Sequence, residues 1–193
     1  MDRAETSALL RQARTGTPEA LERLYERVGG KLLALIRIRL GRDLRAHLES
    51  GDILQATLLK SFAHLDEFEG DQTASLMGWL ARIAEHEIRD RVDYFRRGRR
   101  DRACEVPLEE GTALAVTGAR SALTQLALNE EIGRLEAALE TLDPPYREVI
   151  VLRGLQELTF REVSARMARS EDACRMLYAR AMAALTLRMQ DVS

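Results

Sequence analysis

A chain of 193 residues, 46% hydrophobic but only 5% aromatic, has length for one large or two small domains with cores of Leu, Ala, Val and Ile. Twenty-nine Lys and Arg against 31 Asp and Glu leave a formal net charge of -2, which excludes a uniformly basic nucleic-acid binder and confines any DNA contact to local patches. Two distant cysteines, Cys104 and Cys174, and three scattered histidines, His47, His64 and His86, argue for no metal, no cofactor and no disulfide framework, and no nucleophile–base pair or phosphate loop argues for an enzyme.

The amino terminus, MDRAETSALL, is charged and has no apolar signal core, and the apolar run 32–36 is broken by Arg37, far short of a membrane span. A cytoplasmic protein with no membrane partner is expected. The richness in Leu, Ala, Arg and Glu, with few Gly and Pro, predicts an all-α fold. Thr6 or Ser7 is positioned to cap a short first helix ending near Gly16. Thr17-Pro18 restarts the chain as a cap followed by Pro at the first helical position. Leu21, Leu24, Tyr25 and Val28, then Leu32, Leu33, Ile36 and Leu40, continue one stripe to Gly41, with Gly29-Gly30 weakening but not ending the helix.

Asp52 opens the next predicted helix, DILQATLLKSFAHL. Its apolar residues, Ile53, Leu54, Ala56, Leu58, Leu59 and Phe62, wrap most of the circumference. Such a helix is either buried or meets a partner, and both readings stand at this point. The stretch 66–78 reads as a loop. Trp79 then begins WLARIAEHEIRDRVDYFRRGRRDR, with Trp79, Leu80, Ile83, Ile88 and Val92 inward and Arg82, Arg89, Arg91, Arg96, Arg97, Arg99, Arg100 and Arg102 elsewhere. Tyr94 and Phe95 among the arginines suit unstacked bases and phosphates. A solvated charged face diluted by Asp90, Asp93 and Asp101 is the alternative.

The segment 103–123, with Pro107, Gly111 and Gly118, reads as a linker. Helix resumes from Asn129 through Ile132, Leu135, Leu139 and Leu142. Asp143-Pro144-Pro145 ends it and caps another, whose Val149, Ile150, Leu152 and Leu155 pack inward. Thr159 with Glu162 is a capping box, Ala168-Arg169 a turn, and Ser170 the cap of a last helix with Glu171 and Asp172 in its first turn. Cys174, Leu177, Ala181 and Leu185 form its inner stripe. Glu171, Asp172, Arg175, Met176 and Ala179 then face outward with Arg180 on the flank, which is how a helix-turn-helix presents its recognition helix to the major groove. An ordinary helical hairpin is the alternative.

Three stretches, DILQATLLKSF, WLARIAEHEIRDRVDYFRRGRR and LDPPYREVIVLRGLQELTFREVSARMARSEDACRMLYARAMAAL, together resemble a bacterial RNA polymerase sigma factor of the extracytoplasmic-function (ECF) group. The resemblance runs from about residue 20 to 189. It implies two small helical domains joined by a flexible linker. The first, residues 1–103, is the region-two bundle that docks on core polymerase and reads the minus-ten element. The linker is 104–125, and residues 126–193 form region four, whose helix-turn-helix reads the minus-thirty-five element. The implied partners are the beta-prime clamp helices and beta flap of core RNA polymerase, promoter DNA, and an anti-sigma factor or Ser/Thr kinase as regulator.

Carried over by position, Asp52, Leu54, Gln55, Leu58, Leu59 and Phe62 would meet polymerase. Phe68, Trp79, Arg82, His86, Arg89, Tyr94, Arg96 and Arg97 would meet the minus-ten element, with the loop from Phe68 to Leu76 capturing a flipped base. Thr159, Ser170, Glu171, Asp172, Arg175, Met176, Ala179 and Arg180 would meet the minus-thirty-five element. The chain departs from the family pattern at Ala56, His86, Ala168, Arg169 and Leu177, and it is less acidic around Gln55. Phosphorylation at Ser50, Thr57 or Ser61 would restore negative charge there. A free-standing helix-turn-helix repressor and a protein-binding helical adaptor are the competing readings.

Overall fold

The computed structural model describes residues 3–15, 17–68, 76–100 and 122–191, with side chains described at 5–6, 8–15, 17–68, 76–97 and 129–190. These residues form eight α-helices and no strand: α1 Arg3–Arg14, α2 Pro18–Arg45, α3 Ser50–Ala63, α4 Leu76–Arg100, α5 Ala122–Glu140, α6 Pro144–Ile150, α7 Phe160–Met167 and α8 Glu171–Asp191. A 3-10 turn at Leu65–Glu67 follows α3, and a π turn at Val151–Leu155 follows α6. The all-α expectation holds. The loop segment 69–75 and most of the linker, 101–121, lie outside the described residues.

Several boundaries shift. The first helix begins at Arg3 rather than at a Thr6 or Ser7 cap, and Thr6 is buried within it. α2 passes through Gly29-Gly30 unbroken, and its interruption is at Gly41, whose φ of 69° and ψ of 172° are open to glycine at no steric cost. α3 starts at Ser50, before Asp52. α4 starts at Leu76 because Leu76 and Met77 are core residues that the loop reading left out. α5 starts at Ala122, ahead of the expected Asn129.

The first core is built by α2, α3 and α4. Leu24, Val28, Leu32, Leu35 and Ile36 recur at helical spacing on α2 and meet Ile53, Met77, Leu80 and Ala84. Each buried Leu, Ile, Val or Met among them contributes about 1.5–3 kcal/mol by leaving water. The second core joins Leu139, Leu142, Val149 and Ile150 to Val163 of α7 and to Cys174, Ala181 and Leu185 of α8. The two cores touch. The π turn sends Val151 and Leu155 into the first and Leu152 into the second, while Ile38 of α2 packs against both.

Candidate nucleic-acid and protein interfaces

The apolar circumference of α3 divides into an inner and an outer side. Ile53 and Leu58 are buried in the first core, and Thr57 and Ser61 are fully enclosed beside them. Thr57 Oγ1 donates to the Ile53 carbonyl at 2.7 Å, and Ser61 Oγ donates to the Leu58 carbonyl at 2.8 Å. The buried Tyr25 hydroxyl lies 3.0 Å from that same carbonyl and 3.1 Å from Ser61 Oγ. Burial pushes the Tyr25 hydroxyl pKa above its ordinary value, and the Ser61 hydrogen bond offsets part of the rise. The outer side holds Asp52, Gln55, Leu59 and Phe62, spaced three and four residues apart on one face. Phe62 is 52% exposed, unusual for a phenylalanine in a folded chain. Leu54 sits at the margin, packed partly on the core.

Two expectations are thereby corrected. Leu58, 7% exposed, is a core residue and has no surface to offer a partner. Thr57 and Ser61 are closed to any kinase, because a phosphate there would have to displace packed side chains. Of the three hydroxyls, only the half-buried Ser50 at the start of α3 reaches the surface.

α4 carries the basic set. Arg82, His86, Arg89, Tyr94, Arg96 and Arg97 are exposed, with Tyr94 at 61%. His86 Nδ1 lies 3.0 Å from Asp90, and Arg97 Nε donates to the Asp93 carbonyl at 3.2 Å. Trp79 is half-buried, its ring 4.9 Å from that of Phe68. Phe68 is almost wholly buried, so it forms a wall rather than an exposed contact. Between α3 and α4 lies a cavity of about 620 Å³ whose walls include Lys60, His64, Trp79, Arg82, Ile83 and His86. Its aromatic and apolar floor suits a planar base, and its rim is of mixed charge: Arg82 stands beside Lys60, which pairs with Glu87, and His64, which lies 3.0 Å from Glu67. Lys60 and His64 were not legible as members of this set, because they reach it from another helix; Lys60 is fixed by an ion pair to Glu87. Of the other arginines predicted for this surface, Arg91 is half-buried and donates to the Asp52 carbonyl at 3.4 Å, and Arg99, Arg100 and Arg102 lie outside the described side chains.

The carboxy-terminal pair has the expected caps. Thr159 Oγ1 accepts from the Glu162 amide at 3.3 Å, and the Thr159 amide donates to the Glu162 carboxylate at 2.7 Å. The turn residue Ala168 takes the left-handed conformation, φ 52° and ψ 46°, that closes α7. Ser170 Oγ accepts from the Ala173 amide at 3.2 Å, capping α8. Thr159 and Ser170 therefore spend their side chains on helix ends. Cys174, Ala181 and Leu185 face the core, with Leu177 half-buried beside them. Asp172, Arg175, Met176, Ala179 and Arg180 are exposed, and Glu171 is half-buried. Arg175 lies 4.8 Å above the Phe160 ring and 3.2 Å from Glu171, so in the free chain its guanidinium rests against these two partners.

Among the described residues no His/Cys/Asp/Glu group has the arrangement of a metal site, and no helix is long and apolar enough to cross a membrane.

The family model for Sigma-70, region 4, matches residues 132–185, the segment from α5 through most of α8. Over nearly its whole length the chain is similar to the ECF RNA polymerase sigma factor SigD of Mycobacterium tuberculosis strain H37Rv, 27% identical over 176 residues, covering 91% of this chain and 79% of that one. It is similar also to the ECF RNA polymerase sigma-E factor of Escherichia coli K12, 26% identical over 166 residues, covering 82% and 81%. Among solved structures, that of CnrH in complex with the cytosolic domain of CnrY shares the fold, with a TM-score of 0.51 and 24% identity over 98% of this chain and 99% of that one.

Proposed function

We propose that the chain acts as an ECF sigma factor in transcription initiation and that its surfaces divide that work. The outer face of α3, formed by Asp52, Gln55, Leu59 and Phe62 with Leu54 at its margin, docks on the beta-prime clamp helices of core RNA polymerase. α4 holds the minus-ten region, with Arg82, His86, Arg89, Tyr94, Arg96 and Arg97 on phosphates and bases. The cavity bounded by Trp79 and Phe68 receives an unstacked base. α8 reads the minus-thirty-five element through Glu171, Asp172, Arg175, Met176, Ala179 and Arg180, while region four contacts the beta flap. Residues 1–103, 104–125 and 126–193 are the corresponding region two, linker and region four.

The observation that carries this reading is the order of three unlike surfaces along one chain. A face on α3 that exposes Phe62 beside Asp52 precedes a basic aromatic helix, and a capped helix-turn-helix follows. A stand-alone repressor has no use for the first two. The protein catalyses no reaction of its own: polymerase forms the bonds, and the chain supplies specificity. A net charge of -2 accords with this, since a protein without excess cation has little non-specific hold on DNA. It works in the cytoplasm, where polymerase is, and an anti-sigma factor is its proposed regulator. A kinase partner is restricted to Ser50.

The test is run-off transcription with purified core polymerase from the promoter of the chain's own gene, alongside a pull-down of core. Core binding and a discrete transcript are expected. A free dimer that footprints a palindrome and ignores core would replace this reading with the repressor.

A further inference from the structure

We propose that Arg14, the last residue of α1, is a positioning residue for the minus-ten cavity: it holds the backbone at Leu65 and Phe68, so that the Phe68–Trp79 wall stands formed before DNA arrives. The inference rests on the reading of that cavity as the seat of an unstacked base.

α1 is anchored independently of this contact. Leu9 and Ala13 are buried in the first core, and Glu5 pairs with Arg27 of α2 at 2.7 Å. At its end the Thr15 amide donates to the Arg11 carbonyl at 3.2 Å, and Thr15 Oγ1 donates to the Gln12 carbonyl at 2.8 Å. Arg14 therefore reaches out from a settled helix end. Its Nε donates to the Leu65 carbonyl at 3.4 Å, and its Nη2 donates to the Phe68 carbonyl. These partners lie 51 and 54 residues further along the chain.

The two carbonyls bracket the 3-10 turn Leu65–Glu67. A turn this short has poor hydrogen-bond geometry of its own. The Glu67 amide donates to the His64 carbonyl at 3.1 Å, and the Phe68 amide to the Leu65 carbonyl at 3.3 Å. One planar guanidinium grips both ends of the turn, which suits the rigid fork of arginine and not the single point of an ammonium.

The turn sets one side of the cavity. Leu65 and Phe68 are buried, and the Phe68 ring lies 4.9 Å from that of Trp79. His64 and Glu67 are exposed and line the cavity together with Phe68 and Trp79. A shift of this backbone moves His64, Glu67 and Phe68 at once. Arg14 itself does not line the cavity, so its effect on a base passes through the turn. Without Arg14 the wall is formed for only part of the time, and affinity for the base falls by that fraction. A site already in its bound shape avoids that loss.

The experiment uses holoenzyme assembled from core polymerase and the wild type, Arg14→Met, which keeps an apolar stem and removes the donors, or Arg14→Lys, which keeps the charge without the fork. Each is titrated with labelled single strands carrying the non-template minus-ten sequence of the chain's own promoter, each base varied in turn, over a range of salt. The wild type should discriminate among bases by about tenfold or more at one position. In Arg14→Met the preferred strand should bind about five- to twentyfold more weakly, discrimination there should shrink to about twofold, and the salt slope should stay as it was. Arg14→Lys should show part of the same loss, and both variants should bind core as the wild type does. Unchanged affinity and discrimination in Arg14→Met overturn the proposal. So does a loss equal for every base, with a shallower salt slope and full recovery in Arg14→Lys, since that is the behaviour of a phosphate contact. If circular dichroism shows Arg14→Met without its helices, Arg14→Lys decides, and wild-type discrimination in it overturns the proposal. A wild-type holoenzyme that binds every strand alike would instead sink the base-capture reading, whatever the variants do.

Discussion

Phe62→Ala tests the docking face of α3. The ring is 52% exposed in the free chain, and a phenylalanine presents about 200 Å² in full, so roughly 100 Å² awaits a partner. At ~25 cal/mol per Å² that is about 2.5 kcal/mol if polymerase covers it wholly, or about 60-fold in Kd. The other half of the ring already lies against the protein, so the same substitution also costs folding stability, by up to about 2.5 kcal/mol on the same area scale. Leu58→Ala, one turn earlier on the buried side, is the control for folding alone. It leaves a cavity in the first core and costs about 2–5 kcal/mol of stability. Anisotropy titration of labelled protein with core polymerase, paired with thermal unfolding, reads both effects. If a folded Phe62→Ala bound core within threefold of wild type, the outer face of α3 would not be the docking surface.

Ala168→Gly relieves a left-handed conformation that costs an L-residue about 1–2 kcal/mol, and glycine's greater freedom in the unfolded chain takes back about 0.4–1. The Tm should rise by about 1–3 °C, and a fall would mean the turn is not held as described. Tyr25→Phe removes a buried hydroxyl from the Leu58 carbonyl and should cost about 1–2 kcal/mol in chemical denaturation. Since folding raises the Tyr25 pKa, the native state keeps a proton that the unfolded chain loses near pH 10.0. This contribution is therefore complete below pH 10 and is lost as pH rises through the higher folded value. The wild type should lose stability more steeply than the phenylalanine variant above pH 10, and parallel curves would contradict the assignment. Arg175→Ala should lower transcription from a duplex promoter about 5- to 150-fold, the 1–3 kcal/mol of a good base contact. A template already melted at the minus-ten element should be far less affected, and equal loss on both would place Arg175 outside element recognition.

What could be read from sequence follows from how local the governing physics is. The caps at Thr159, Glu162 and Ser170 depend on residues three apart, and all form as read. The inner stripe of α2 is equally local. α3 resisted because apolar residues on every side do not say which face a neighbour covers. Only the packing of α2 and α4 turned Leu58, Thr57 and Ser61 inward and left Phe62 out. Leu76 and Met77 looked like loop because the polar and small residues before them and Gly78 after them break the apolar period. Lys60 and His64 join the α4 surface only through the pairing of two helices. The contacts of Arg14 with the Leu65 and Phe68 carbonyls were invisible for the same reason, since partners 51 and 54 residues apart have no sequence period.

The central claim is that this chain, added to core polymerase, chooses where transcription begins. Sheared genomic DNA from the source organism, transcribed in vitro by core polymerase with and without the chain, tests it when the 5′ ends are mapped. New start sites that appear only with the chain, and that share two sequence blocks upstream at a fixed separation, are the predicted result. Identical start sites with and without the chain, from core shown to be active with another sigma factor, would contradict the account.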